Sequence, residues 1–215
     1  MVFASGTARW LAAACATALF ALGACGGEAG DPATPSGNRP VGESLPDGLL
    51  FAWGALRSGW RWEATAPDGL QAPAVAAVER TAHEEARRFA WAGGGEGSVS
   101  MVPAAPVDLS LEAGAGLGLL LDYRVEVPPT EEVSLWMACG DHCGGTVAIG
   151  GVLRSAPPGE WRTLEVPLRC LARAGLDPKT VRTPFALTTG GRLTLAISGV
   201  RIASVAADHN KCGAS

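Results

Sequence analysis

Four kinds of chemistry are within reach of the side chains in this sequence: paired carboxylates, a nucleophile beside a base, a Cys–His metal cluster, and an indole flanked by hydrogen-bonding groups. Glycoside hydrolysis needs two carboxyl groups roughly 5 to 9.5 Å apart across a cleft. Asp122 and Glu165 both fall on polar strand faces and would be the pair to test. Glu84 and Glu85 are adjacent, so on a strand they point to opposite sides and make a poor pair. No Gly-x-Ser-x-Gly elbow occurs, and His83, His142 and His209 lack any zinc-protease spacing. The expectation is a protein without a catalytic centre. His142 lies between Cys139 and Cys143, and with Cys170 these make a conceivable zinc set; disulfide pairing is the competing use of the same sulfurs.

The indole is the stronger lead. An aromatic ring standing on a sheet face can meet the C–H face of a pyranose, with planar polar groups beside it to pair with hydroxyls. Trp136 belongs to the alternating run Val133–Ala138, opposite Leu135 and Met137 and on the side of Ser134. If the strand Leu117–Val127 is its neighbour, Asp122 and Arg124 line the same face, and Glu165 joins them as a further acceptor. Arg supplies a fixed fork of donors and Asp supplies acceptors, which suits vicinal hydroxyls. The competing arrangement has Trp136 covering a second apolar layer, with Asp122 and Arg124 solvated. Trp53, Trp60, Trp62, Trp91 and Trp161 are read as core or edge packing.

The elements that must carry these residues are short strands. Leu117–Val127 alternates, with Leu119, Leu121, Tyr123, Val125 and Val127 on one face and Leu120, Asp122, Arg124 and Glu126 on the other. Thr163–Leu168, Phe185–Thr188 and Arg192–Ile202 read as further strands, separated by turns at Pro128-Pro129, Pro157-Pro158-Gly159 and Gly190-Gly191. Ala82–Arg88 and Leu171–Ala174 are the segments with helical character. Many short strands with one apolar face imply an all-β antiparallel β-sandwich. The sandwich is expected over 48–206, after a Gly-, Pro- and Ser-rich tether over 25–47 and before a tail over 207–215. A coil-like tether of that length spans ~25 Å. The formal net charge is −4, spread without blocks, which argues against a nucleic-acid partner.

Residues 1–24 read as a signal peptide: Arg9, an apolar run from Leu11 to Leu22, then Gly23-Ala24-Cys25. Leu22-Gly23-Ala24-Cys25 resembles the lipobox of bacterial lipoproteins, which implies acylation of Cys25 and a membrane partner reached through lipid alone. Each buried methylene of such an anchor contributes ~0.8 kcal/mol. Gly26 is not the Asp that the enteric sorting rule associates with inner-membrane retention, so an outer-membrane site facing the periplasm or exterior is expected. Of six cysteines, Cys139, Cys143, Cys170 and Cys212 remain in the mature domain. In an oxidising compartment they suggest Cys139–Cys143 with Cys170–Cys212, or a competing Cys143–Cys170 bridge.

One stretch carries a wider likeness. Leu121-Asp122-Tyr123-Arg124-Val125, Met137-Ala138-Cys139-Gly140 with Cys143-Gly144, and Pro158-Gly159-Glu160-Trp161-Arg162 occur in order. Val166-Pro167-Leu168-Arg169-Cys170, Pro184-Phe185-Ala186-Leu187 and Leu195–Ile202 follow, and Glu84–Trp91 precedes them. The run resembles the C-terminal domain of exo-acting bacterial family-3 β-glucosidases, a galactose-binding-like jelly roll akin to carbohydrate-binding modules. The resemblance implies an accessory, non-catalytic role, since these residues leave no room for the catalytic domains of such enzymes. Such a jelly roll is able to hold a structural calcium ion, although no ligand run is legible; no other cofactor is expected. The expected partners are an oligosaccharide or polysaccharide and a separate glycoside hydrolase, and the alternative role is docking of a partner protein.

Overall fold

Alternation of apolar and polar side chains sets the architecture. In β7 (Gly118–Val127), Leu119, Leu121, Tyr123 and Val125 are buried, while Asp122, Arg124 and Glu126 stay partly exposed. In β8 (Val133–Gly140), Val133, Leu135 and Met137 are buried and Ser134 and Trp136 face the other way. The computed structural model describes residues 48–206 and Cys212. The expected signal peptide at 1–24, Cys25, the tether up to 47 and the rest of the 207–215 tail lie outside the described residues.

The other strands are β1 (Leu49–Ala52), β2 (Ala55–Leu56), β3 (Arg61–Thr65), β4 (Ala74–Thr81), β5 (Glu84–Ala92), β6 (Gly97–Val102), β9 (Cys143–Ala148), β10 (Trp161–Pro167), β11 (Thr183–Thr189) and β12 (Arg192–Ala203). They form two antiparallel sheets. One has seven strands along β10-β7-β12-β1-β2, with β5 also on β12 and β4 on β5. The other has five strands in the order β3-β6-β11-β8-β9. β12 is long enough to hold β5 along Arg192–Ile197 and β1 along Gly199–Arg201. The core lies between the sheets and includes Phe51, Phe89, Tyr123, Leu135, Met137 and Phe185. Trp62 of β3 bridges them, with its ring 5.4 Å from Phe51 and 4.8 Å from Phe89, centre to centre. This is the expected β-sandwich.

Among the described residues three short α-helices connect strands, α1 (Ser110–Gly114), α2 (Gly150–Ser155) and α3 (Leu168–Arg173), with a single 3-10 turn at Pro178–Thr180. Only α3 falls near an expected helical segment. Ala82–Arg88 is not helical. Ala82 and His83 make the β4–β5 turn and Glu84–Arg88 enter β5, whose Phe89 and Trp91 are buried and which pairs with β4 on one side and β12 on the other. Tertiary pairing outweighs the helical propensity of Ala-His-Glu-Glu-Ala-Arg-Arg. The cysteines pair as Cys139–Cys143 and Cys170–Cys212, which removes the Cys143–Cys170 alternative and occupies the sulfurs a zinc site would need. The α3 backbone lies close on β9: a Cβ at Gly145 would come 2.1 Å from the Leu171 carbonyl oxygen.

Candidate functional site

Cross-strand register fixes what stands around Trp136. The residues directly opposite it are Thr146 on β9 and Ala186 on β11. Ala186 pairs in turn with Ser100 on β6, and Ser100 with Glu63 on β3. The next row along the face is Ala148, Ser134, Thr188, Ser98 and Thr65. At the usual spacing between strands these rows run ~19 Å across the sheet. Apart from the indole and small alanines, they present hydroxyls and one carboxylate. The indole is partly exposed, and its Nε1 donates to Thr188 Oγ1 at 2.8 Å, so the side chain reaches from β8 across to β11. The Thr188 hydroxyl donates onward to Ser98 Oγ at 3.1 Å. At the far edge Arg61 pairs with Glu63, its Nε donating to Oε1 at 3.0 Å. A fixed ring, a row of hydroxyls and a planar Arg–carboxylate pair therefore share one face.

Along β9, at the edge of this sheet, a cleft of about 570 Å³ is lined by Thr146, Val147, Ala148, Glu132, Arg154, Arg173 and the Cys170–Cys212 bridge. Glu132 is held below the usual carboxylate range first by the Gly150 backbone N–H, against desolvation, which raises it, and then by the Val133 N–H and Arg154. It stays anionic at the rim of this cleft at neutral pH.

Asp122, Arg124 and Glu165 stand elsewhere. β7 pairs with β10 and β12 and not with β8, so these residues lie on the outer face of the seven-stranded sheet, on the opposite side of the sandwich from Trp136. The shared face expected for Trp136, Asp122 and Arg124 does not form; Ser134 alone stays with the indole. Pro128-Pro129 explains the separation, because neither residue can donate to a ladder and the chain leaves one sheet there to join the other. The three polar residues are engaged within the protein. Asp122 accepts from Thr163 Oγ1 at 2.6 Å and pairs with Arg201. Arg124 donates to Glu126 at 2.8 Å, and Glu165 accepts from the Ala206 backbone N–H at 2.7 Å. Burial pushes the Glu126 carboxyl up, but hydrogen bonds from Arg88 and Arg124 outweigh it and hold the group below its ordinary value.

Trp161 joins this second face, with Arg124 at 5.0 Å and Arg80 at 5.1 Å from its ring centre. The polar residues that share the face with Trp136 include Thr188, Ser98 and Ser100, with Arg61 and Glu63 at its far edge. Their signal was present in Arg61-Trp62-Glu63-Ala64-Thr65, where Trp62 and Ala64 alternate with polar neighbours. No local pattern reveals that β3 and β8 end up in one sheet.

The two-sheet fold is similar to that of solved carbohydrate-binding modules. Family 11 carbohydrate-binding module from Clostridium thermocellum, solved with a β-1,3-1,4-mixed-linked tetrasaccharide, matches with a TM-score of 0.54 at 10% identity, covering 74% of this chain and 95% of that one. A family 30 carbohydrate-binding module matches with a TM-score of 0.55 at 15% identity over 75% of this chain and 100% of that one. The chain belongs to the Exop_C family, described as galactose-binding domain-like, whose match spans residues 64–202. Within that frame it is similar to the extra C-terminal domain of an exo-1,3/1,4-β-glucanase from a Pseudoalteromonas species. That match has a TM-score of 0.59 and 18% identity, covering 75% of this chain and 95% of the domain. Against the whole glucanase this chain covers only 23% of its length. No curated protein matches the chain.

Proposed function

We propose that this protein is a non-catalytic carbohydrate-binding lipoprotein that holds a β-glucan-like chain on the outer face of its five-stranded sheet. One observation carries the reading: a partly exposed indole, tied through Nε1 to Thr188, lies on a face otherwise made of hydroxyls and an Arg–carboxylate pair. The ring offers an apolar platform for a pyranose, and the hydroxyls and Glu63 offer partners for its OH groups. The long, shallow face suits an extended chain more than a compact ligand. Binding on such a surface is weak and rapidly reversible, because little ligand area is enclosed. The likeness to modules solved with or named for carbohydrate supports the substrate class. In this reading Cys25 is acylated, the tether lifts the domain from an outer-membrane surface, and the domain supplies substrate to a separate hydrolase related to family-3 β-glucosidases.

The test is calorimetric titration of the full-length protein with a mixed-linkage β-1,3-1,4-glucan tetrasaccharide. Removing an aromatic side chain from a contact costs about 1.5–3 kcal/mol, so Trp136→Ala is expected to weaken binding roughly 10- to 100-fold. The thermal unfolding profile should remain cooperative. Equal affinity of the variant and the parent refutes the reading.

A further inference from the structure

On the opposite sheet, one of several departures from regular pairing falls in β12 against β7, between Ile197 and Gly199. Ile197 of β12 pairs with Tyr123 and Gly199 with Asp122, so Ser198 is the extra residue of a β-bulge. Bulges re-aim side chains and are over-represented at sheet edges and next to active sites. Ser198 is 6% exposed, and its hydroxyl has no hydrogen-bond partner among the described residues. An unsatisfied buried hydroxyl costs about 1–3 kcal/mol, so it calls for a reason. Ser198 lines a cavity of about 170 Å³ together with Trp53, Arg80, Glu84, Asp122 and Arg201.

The wall of this cavity carries a second irregularity. Trp53 and Gly54 form the two-residue β1–β2 turn closed by the Ala52–Ala55 pair, and both have positive φ, 51° and 77°. That is the pattern of a type I′ turn, whose first position favours Asn, Asp or Gly. A tryptophan there is strained by about 1–2 kcal/mol, yet it sits 47% exposed beside the cavity. At the cavity's edge the bare Cα of Gly199 lets the Asp122 carboxylate lie against β12: a Cβ would come 2.9 Å from Oδ2. Asp122 accepts from Thr163 and Arg201, which uses two of about four lone-pair positions of a carboxylate.

We propose that this cavity is a binding pocket for one neutral, hydroxyl-rich ring, of the monosaccharide class, with Ser198 at its floor and the Trp53 indole as its apolar wall. The size fits one ring, since pockets for larger ligands run ~300–1,000 Å³. The electrostatics fit a ligand without negative charge: both arginines of the cavity are paired, Arg80 with Glu84 at 3.6 Å and Arg201 with Asp122, and Glu85 adds a third carboxylate. Among the described residues no group of acids converges as cation ligands would. The pocket is separate from the Trp136 face, and its failure leaves that reading intact.

The experiment is an amide NMR titration of the full-length protein with D-glucose, D-galactose and D-mannose in turn. At least one sugar is expected to shift Ala52, Ser198, Gly199 and Arg201 while leaving Thr188 and Ser98 in place. Ser198→Ala is expected to weaken that response about fivefold, the worth of one hydrogen bond, without lowering thermal stability. Trp53→Asn relaxes the turn, so it should raise or keep stability while also weakening binding. Trp136→Ala should leave the response unchanged. No shift at the bulge with any of the three sugars, shifts insensitive to both Ser198→Ala and Trp53→Asn, or loss of the response in Trp136→Ala each overturns the proposal.

Discussion

The two disulfides close loops of very different length, and that difference converts directly into an expected difference in stability. Cys170 and Cys212 are 42 residues apart, whereas Cys139 and Cys143 are 4 apart. In the chain-entropy treatment a cross-link removes disorder from the unfolded chain in proportion to the logarithm of loop length, giving about 4 kcal/mol for the long loop and about 2 kcal/mol for the short one. The former is a large part of the ~5–15 kcal/mol that holds a typical domain folded. Alanine is the informative replacement, because Cys139 and Cys170 are buried and serine would add a hydroxyl to satisfy. At about 2–4 °C per kcal/mol for a domain of this size, Cys170→Ala/Cys212→Ala should lower the melting temperature by about 8–16 °C. Cys139→Ala/Cys143→Ala should lower it by about half as much. Differential scanning calorimetry of the oxidised proteins measures both. Equal shifts, or a larger shift from the short loop, refute the entropic reasoning and place the stabilisation in native contacts.

Two further outcomes follow from the packing and the charges. Gly145→Ala drives a methyl into the Leu171 carbonyl, so urea unfolding should show a loss of about 1–3 kcal/mol. Glu126 has a folded pKa below its ordinary 4.5, because hydrogen bonds from Arg88 and Arg124 prevail over its burial. Its contribution is therefore complete above the unfolded value and is lost as pH falls through the folded one, so Glu126→Gln should flatten the decline in stability below about pH 5. An unchanged acid limb in that variant would mean that Glu126 stabilises nothing through its charge.

Period-two patterns reveal strands and their buried faces but not which strands meet. The alternation of Leu119, Leu121, Tyr123 and Val125 is enough to set the inward face of β7, and that of Leu135 and Met137 does the same for β8. Whether β7 and β8 are neighbours depends on contacts far apart in sequence: β7 pairs with β12 and β10, and β8 with β11 and β9. Placing Asp122 and Arg124 beside Trp136 required an adjacency that the intervening Pro128-Pro129 does not support. Ala82–Arg88 fails for a related reason: an Ala- and Glu-rich segment satisfies helical propensity locally, while the apolar pair Phe89 and Trp91 just beyond it commits the run to the core. The tight Cys139–Cys143 loop and the sandwich itself are legible because they rest on spacing and periodicity within single segments. The Ser198 bulge is not, since one extra residue in a strand leaves no mark in an otherwise apolar run.

The two outer faces differ in how much of their polar capacity is already committed. On the seven-stranded sheet Arg88, Glu126 and Arg124 form a continuous network, Trp161 is flanked by Arg124 and Arg80, and Asp122 is tied to Arg201 and Thr163. A flat ligand there would have to displace ion pairs and cation–π contacts that each contribute only ~0–1 kcal/mol, yet are replaced by hydrogen bonds of similar worth. Little net affinity results, except where the bulge leaves a buried hydroxyl without a partner and the ligand supplies what the protein lacks. The five-stranded face is different in kind. Most of its side chains are short hydroxyls around one anchored ring, with the Arg61–Glu63 pair at the far edge, and Thr146, Ser134 and Ser100 gain partners from a ligand without giving up ion pairs. An extended, hydroxylated chain therefore gains more on the Trp136 side, and only a compact ring gains on the other.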